Sequence, residues 1–300
     1  MLAIKVQLLN NSQLKKISNL PAPLRLVVFI GALSFIWLPL ALPIYWLLQE
    51  DSNLASILTM ALLFIELLFF WRLWGRLIHG ENQIYRRYGS IGNSRNIAEF
   101  GRGLAIGFWL CLGLFIVEAL LGWIQPRPPA TNLLRIVVEG LLSATGVALA
   151  EELLFRGWLL DELQRDYSKK VCVLGTAIAY AMAHFLKPIA EIVRTAVTFP
   201  ALVLLGLALV LAKYKHGDRL GMSIGIHAGL VWAYYLVDVG QLIEYTNQVP
   251  VWVTGIDGNP IAGVMGLLFL SGLTLVIVLT NKKSSDRQFS NTAKGDREQS

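Results

Sequence analysis

Long blocks of apolar residues, about 17–25 residues each and joined by short charged connections, set the terms on which this chain folds. They lie near 26–48, 54–74, 103–124, 133–160, 171–186, 196–212, 220–239 and 260–280. Inside a bilayer there is no water to satisfy backbone amides and carbonyls, so a spanning segment closes its hydrogen bonds within itself as a helix. The expected fold is therefore all-α, a polytopic membrane helix bundle of about eight transmembrane helices. Composition agrees, because only 15% of the 300 residues are charged, against about a quarter in a soluble domain. No strand pattern competes, and no internal repeat is visible.

The charges orient the bundle. Arg72, Arg76, Arg86, Arg87, Arg95 and Arg102 surround the second connection, Lys169 and Lys170 the fourth, and Lys213, Lys215 and Arg219 the sixth. Glu50 and Asp51 fall in the first connection, Asp238, Glu244 and Asp257 in the seventh, and Lys15, Lys16, Lys282 and Lys283 mark the two ends. By the positive-inside rule this integral, multi-pass protein is expected to keep both termini in the cytoplasm. The formal charge of +6 resides in membrane-flanking loops, which argues for membrane lipids and against nucleic acid as a partner.

Three regions follow. Residues 1–25 are an N-terminal cytoplasmic or interfacial segment, without the apolar core of a signal peptide. Leu8, Leu9, Leu14 and Ile17 beside Lys15 and Lys16 suit either a surface-lying helix or a solvated tail. Residues 26–280 form the transmembrane helical domain, and 281–300, rich in Lys, Ser, Asp and Gln, form a tail expected to be disordered. The prolines of QPRPPA at 125–130 predict an extended connection. Cys111 and Cys172 lie in apolar stretches outside any CxxC pattern and are read as packing residues.

Polar side chains at bilayer depth are rare and mark functional sites. Here they cluster in AEELLFRG, far along the fourth block. Glu152 and Arg156, four apart, share a helix face and can pair. Glu151 points about 100° away around the helix and is left without that partner, which suits it to general-base work. A buried salt bridge locking helices together would account for the pair, but not for the second glutamate. Two of the four histidines, His79 and His216, fall in basic loops with no special setting. His184 has Tyr180 one turn earlier on its own face, and His227 has Ser223 in the same relation. A helical hairpin turning at Ser168 puts Glu152 and His184 level, since 168 − 152 = 16 and 184 − 168 = 16. His227 lies about 12 Å along its helix from Arg219 and reaches the same plane if that hairpin protrudes at its charged turn. Glu66, Glu118 and Glu139 are read as pairing or snorkelling groups outside the site.

These residues resemble the CPBP intramembrane protease family, which includes the CAAX prenyl endopeptidases and the bacteriocin-processing or self-immunity proteins. Its EExxxR motif stands here as Glu151, Glu152 and Arg156, followed by Gly157. Its FxxxH stands as Tyr180 and His184, with tyrosine in the phenylalanine place. Of its HxxxN only His227 is present, because Val231 occupies the asparagine position. The likeness covers about 133–235. It implies an eight-helix bundle and a glutamate/histidine-type hydrolase, in which Glu151 with His184 activates a water against a peptide carbonyl. It further implies that His227 donates to the oxyanion and that Glu152 with Arg156 orients the site. Where a protein provides two oxyanion donors, losing one costs about 2.7–4 kcal/mol of transition-state stabilisation. Ser223, a backbone amide or an ordered water is then the expected replacement at Val231.

No cofactor is expected. Zinc is the alternative, since two histidines and two carboxylates are a possible ligand set, but no HExxH pairing is present and Glu152 is committed to Arg156. The functional expectation is an intramembrane endopeptidase acting on a membrane-anchored or lipid-modified protein or peptide. The alternative is a catalytically silent scaffold that keeps the fold to bind a partner. A transporter fits less well, because the charges gather on one side and no inverted repeat appears.

Overall fold

The computed structural model describes residues 11–129 and 132–295, with side chains between 14 and 280. In chain order the elements are α1 (Asn11–Ser18), α2 (Ala22–Leu47), α3 (Ser52–Ile78), α4 (Ile84–Tyr88), α5 (Ser94–Leu120), β1 (Ile124–Pro126) and α6 (Leu133–Glu152). A π turn, Leu153–Leu159, carries α6 into α7 (Leu160–Gln164). Then come α8 (Lys169–Ala183), α9 (Ile189–Thr195), α10 (Phe199–Lys215), α11 (Gly221–Val239), β2 (Ile243–Tyr245), α12 (Val251–Thr254) and α13 (Val264–Gly295).

Six helical stretches among the described residues are long and apolar enough to cross a membrane: Ala22–Leu47, Ser52–Ile78, Ser94–Leu120, Leu133–Gln164, Ile189–Lys215 and Gly221–Val239. The other two expected blocks are present as shorter helices. The fifth, expected at 171–186, is α8, whose 15 residues end at Ala183 before the turn at His184 and Phe185. The eighth contributes the apolar stretch Val264–Thr280 of α13. The tail expected to be disordered differs, because α13 continues helically to Gly295. Residues 281–294 contain neither Pro nor Gly, and extending a helix already nucleated by an apolar run costs little. At the other end α1 contains Leu14 and Ile17, while Leu8 and Leu9 lie outside the described residues. The proline-rich connection is extended over Ile124–Pro126, which also pairs antiparallel with Ile243–Tyr245. That ladder was not foreseen, since three residues are too few to show an alternating pattern.

The chain divides into two compact units, residues 1–88 with 161–168, and residues 89–160 with 169–300. In the first, the Trp37 indole donates to the Thr59 carbonyl at 3.2 Å, joining α2 to α3. Glu162 is the hub of this unit: its carboxylate accepts from Arg25 Nε and Trp74 Nε1, both at 2.9 Å, and meets His79 Nε2 at 2.6 Å. His79, read from the sequence as an ordinary loop histidine, is therefore buried in an ion network. Asp161 receives Arg87 at 2.6 Å and Arg165 at 2.7 Å.

The second unit is built on a close approach of α5 and α11. Gly221, Gly225 and Gly229 recur every fourth residue along one face of α11, and Gly103 and Gly107 do so on α5. A Cβ at Gly225 would lie 2.2 Å from the Phe100 carbonyl oxygen, and one at Gly229 would lie 2.2 Å from that of Leu104. Without a hydrophobic force between helices in lipid, such small-residue faces let backbones pack tightly enough for dispersion to hold them. Asn96 Oδ1 and Glu99 pin the same pair at one end, accepting from Gly221 N at 2.7 Å and Arg219 Nε at 2.9 Å. Gly206 does for α10 and α8 what these glycines do for α5 and α11, since a Cβ there would meet Ala177 at 2.9 Å.

Gly229→Val is expected to lower unfolding stability in detergent by about 1–3 kcal/mol or more, the range for overpacking. Gly146→Ala, with nothing within 4 Å of its built Cβ, is expected to be neutral or stabilising by up to about 1 kcal/mol. Thermal unfolding of both variants checks the contrast.

Candidate active site

The candidate residues come together within the second unit. Glu151 and Glu152 are the last two residues of α6, and Arg156 stands in the π turn that follows. The sequence predicts a regular helix here. A π turn holds one residue more than an α turn and is frequent at functional sites. The expected pair nonetheless forms: Arg156 Nη1 donates to Glu152 Oε1 at 2.9 Å, with both side chains fully buried.

Glu152 Oε1 has a second partner, His227 Nδ1, at 3.0 Å. His227 is carried on α11 at the position two residues from both Gly225 and Gly229, so it projects about 200° away from the glycine face. Packing against α5 thus turns the imidazole toward the glutamates. A carboxylate can only accept, which assigns the Nδ1 proton to the ring and leaves Nε2 facing outward. Nε2 lies 3.7 Å from Glu151 Oε2. His227 is thus flanked by both acids, Glu152 behind it and Glu151 in front.

Tyr180 is fully buried and holds Arg156 by its ring face, with the guanidinium carbon 4.2 Å above the centroid, a cation–π geometry. The hairpin register expected about residue 168 is the one present, since 168 − 156 = 12 and 180 − 168 = 12. His184 departs from expectation in one respect: it lies in the turn after α8 ends, not on the helix. Its Nδ1 is 2.9 Å from the Tyr180 carbonyl. A carbonyl accepts, so Nδ1 carries the proton and the Nε2 lone pair is left for other contacts.

A cavity of about 240 Å³ connects these groups. Glu151, His184, His227 and Tyr180 line it together with Leu110, Leu114, Leu202, Leu205 and Phe269. The lining is mostly apolar, with a few polar groups converging on it, the usual character of a ligand-binding cavity. Glu152 and Arg156 do not line it; they lie behind, where Arg156 Nη2 also donates to the Gly206 carbonyl at 3.3 Å. Ser223 is elsewhere: its hydroxyl donates to the Leu209 carbonyl at 2.8 Å and ties α11 to α10. That bond uses the proton expected to replace a donor at Val231, so Ser223 is corrected to a packing residue. Glu139, excluded from the site, pairs with Arg135 on the exposed face at 2.6 Å.

Val231 does line the cavity, and so does Asn259. Asn259 Oδ1 accepts from Ile261 N at 3.2 Å, which fixes the carboxamide and leaves its NH₂ end as a donor. The sequence carries no signal for Asn259, because it belongs to a polar connection 259 − 227 = 32 residues beyond His227. Among the described residues no group of three or more His, Cys, Asp or Glu side chains is arranged to hold a metal ion.

Residues 133–233 match the family model described as Type II CAAX prenyl endopeptidase Rce1-like. Neither a curated protein nor a solved structure matches the chain. The match covers about a third of the 300 residues and carries Glu151, Glu152, Arg156, Tyr180, His184 and His227, so the resemblance to CAAX-type membrane proteases is borne out over that segment. The family is one of peptidases, and with six apolar helices the chain is an integral, multi-pass membrane protein.

Replacing Arg156 by Ala leaves Glu152 buried without its cation, and breaking a buried pair costs about 3–5 kcal/mol. Unfolding of Arg156→Ala in detergent is expected to show a loss of that order, whereas Arg135→Ala on the exposed pair is expected to change stability by less than about 1 kcal/mol.

Proposed function

We propose that the protein is an intramembrane endopeptidase of the glutamate/histidine type, hydrolysing a peptide bond in a membrane-anchored or lipid-modified protein or peptide. The observation that carries this reading is the convergence of Glu151, His184 and His227 on one apolar cavity, with Glu152 and Arg156 packed behind His227. The basic connections, read by the positive-inside rule, support cytoplasmic termini and a substrate that enters from that side.

Hydrolysis needs a base for the attacking water and a donor for the carbonyl oxygen. Glu151, whose side chain is 28% exposed, accepts a proton from water as the oxygen attacks the scissile carbonyl. His184, with its Nδ1 proton held by the Tyr180 carbonyl, offers the Nε2 lone pair to orient the same water. Glu152 fixes the His227 ring through Nδ1, and when the ring carries both protons Nε2–H donates to the oxyanion. The proton held on Glu151 passes to the leaving amine as the C–N bond breaks. This scheme routes no step through a metal, since Glu152 is already bound to Arg156 and His227.

A silent scaffold is the second reading, and Val231 is the observation that favours it. One comparison decides between the two: membrane proteomes of cells carrying the wild type, Glu151→Ala or no protein. The protease reading expects a membrane protein to accumulate uncleaved in both deficient strains, with purified turnover down about 10²–10⁴-fold in Glu151→Ala and unaffected by a strong chelator. Full replacement of the wild type by Glu151→Ala would establish the scaffold. Separately, Val231→Asn is expected to raise kcat, by up to about 10²-fold where a missing donor limits the rate. An unchanged rate in a single-turnover assay would show that the cavity already has its donor, with Asn259 the first residue to replace.

A further inference from the structure

Arg156 is held at both ends by one helix. Its guanidinium Nη2 donates to the Gly206 carbonyl at 3.3 Å, and its own backbone carbonyl accepts from Lys213 Nζ at 2.6 Å. Gly206 and Lys213 are 213 − 206 = 7 residues apart, about two turns along one face of α10. A lysine near the end of a membrane helix ordinarily extends its ammonium into the headgroup region. Lys213 does the opposite: it is 5% exposed and directs the charge to a backbone oxygen inside the protein. From the sequence it counted only as one of the basic residues orienting the sixth connection.

The carbonyl it binds belongs to the π turn Leu153–Leu159. A turn of that kind is rare and occurs mostly as a single turn inside an α-helix, so a contact that holds its backbone bears on where it forms. A buried ammonium on the carbonyl supplies a charge-assisted bond. From there a continuous line of contacts leads to the site: Arg156 Nη1 to Glu152 Oε1 at 2.9 Å, and Glu152 Oε1 to His227 Nδ1 at 3.0 Å.

We propose that Lys213 is a positioning residue of this site: by holding the Arg156 carbonyl it sustains the π turn and fixes the root of the arginine side chain. Through Arg156 it sets the Glu152 carboxylate, and through Glu152 the His227 ring. Its bond to the Arg156 carbonyl acts on the reacting groups through these intermediates. The part of this inference that concerns turnover rests on the protease reading; the part that concerns the π turn does not.

The full-length protein in lipid nanodiscs tests both parts. Lys213→Met keeps the apolar length of the side chain and removes the charge; Lys215→Met, whose ammonium meets the Thr280 hydroxyl, is the control. Lys213→Met is expected to lower kcat about 10–100-fold with KM within about twofold, as for a small misplacement of reacting groups. Amide exchange across 153–160 is expected to rise about tenfold or more in the same variant, while Lys215→Met changes neither. Lys213→Gln, which keeps an N–H donor on a shorter arm, is expected to lie between wild type and Lys213→Met in both readouts, and it replaces Lys213→Met if that variant does not fold. Wild-type kcat in the Lys213 variants, with Glu151→Ala inactive, overturns the inference and leaves the protease reading intact. If Glu151→Ala is as active as wild type, the protease reading falls and exchange alone decides: unchanged protection across 153–160 overturns the role of Lys213.

Discussion

One carboxylate oxygen organises this molecule. Glu152 Oε1 takes a hydrogen bond from Arg156 on its own helix and another from His227 on α11. The other oxygen, Oε2, is buried without a hydrogen-bond partner among the described residues, so compensation for burying the carboxylate falls on the two bonds to Oε1. The two donors therefore have to be delivered to a single point, and the neighbouring elements can be understood as the means of delivery. Tyr180 supports the guanidinium from beneath, the Gly206 carbonyl restrains its far side, and the π turn sets where its backbone starts. Glu151, one residue earlier and about 100° around the helix, faces the cavity.

Delivery of the imidazole depends on packing rather than on charge. The glycines of α11 bring its backbone against α5 at distances where any side chain would collide with a carbonyl oxygen. His227 lies on the opposite side of the same helix, so translation of α11 by one turn would move the ring by 5.4 Å and break its bond to Glu152. Glycine contacts at several successive turns resist such a slip. A face with no side chains thus determines the position of the side chain that matters most for chemistry.

How much of this was legible beforehand differs by level. Helical class and the order of the elements follow from the apolar blocks, because a bilayer leaves the backbone no alternative. The acids, Arg156, Tyr180 and the two histidines were legible as well, since polar groups at that depth stand out against leucine and valine. What escaped depends on geometry that residue type does not encode. Ser223 looks like a partner for His227 at helical spacing, yet its hydroxyl finds the Leu209 carbonyl on another helix. His184 was expected on a helix that in fact ends at Ala183. The π turn has no compositional signature in LLFRGWL, and Lys213 is indistinguishable in sequence from Lys215 and Arg219 nearby. Gly221, Gly225 and Gly229 did carry a readable spacing, which their proximity to His227 obscured.

The salt bridge within α6 and its π turn bears on how such a chain enters the bilayer at all. An arginine presented alone to hydrocarbon is among the costliest residues for a helix to carry across a membrane. Here its counter-charge lies one turn away on the same segment, so the arginine is neutralised from within its own helix, which follows three earlier spans in the chain. The later contacts, to Gly206, Tyr180 and His227, then recruit helices that are inserted afterwards. Chain order thus gives Arg156 its counter-charge first and its helix-to-helix contacts afterwards.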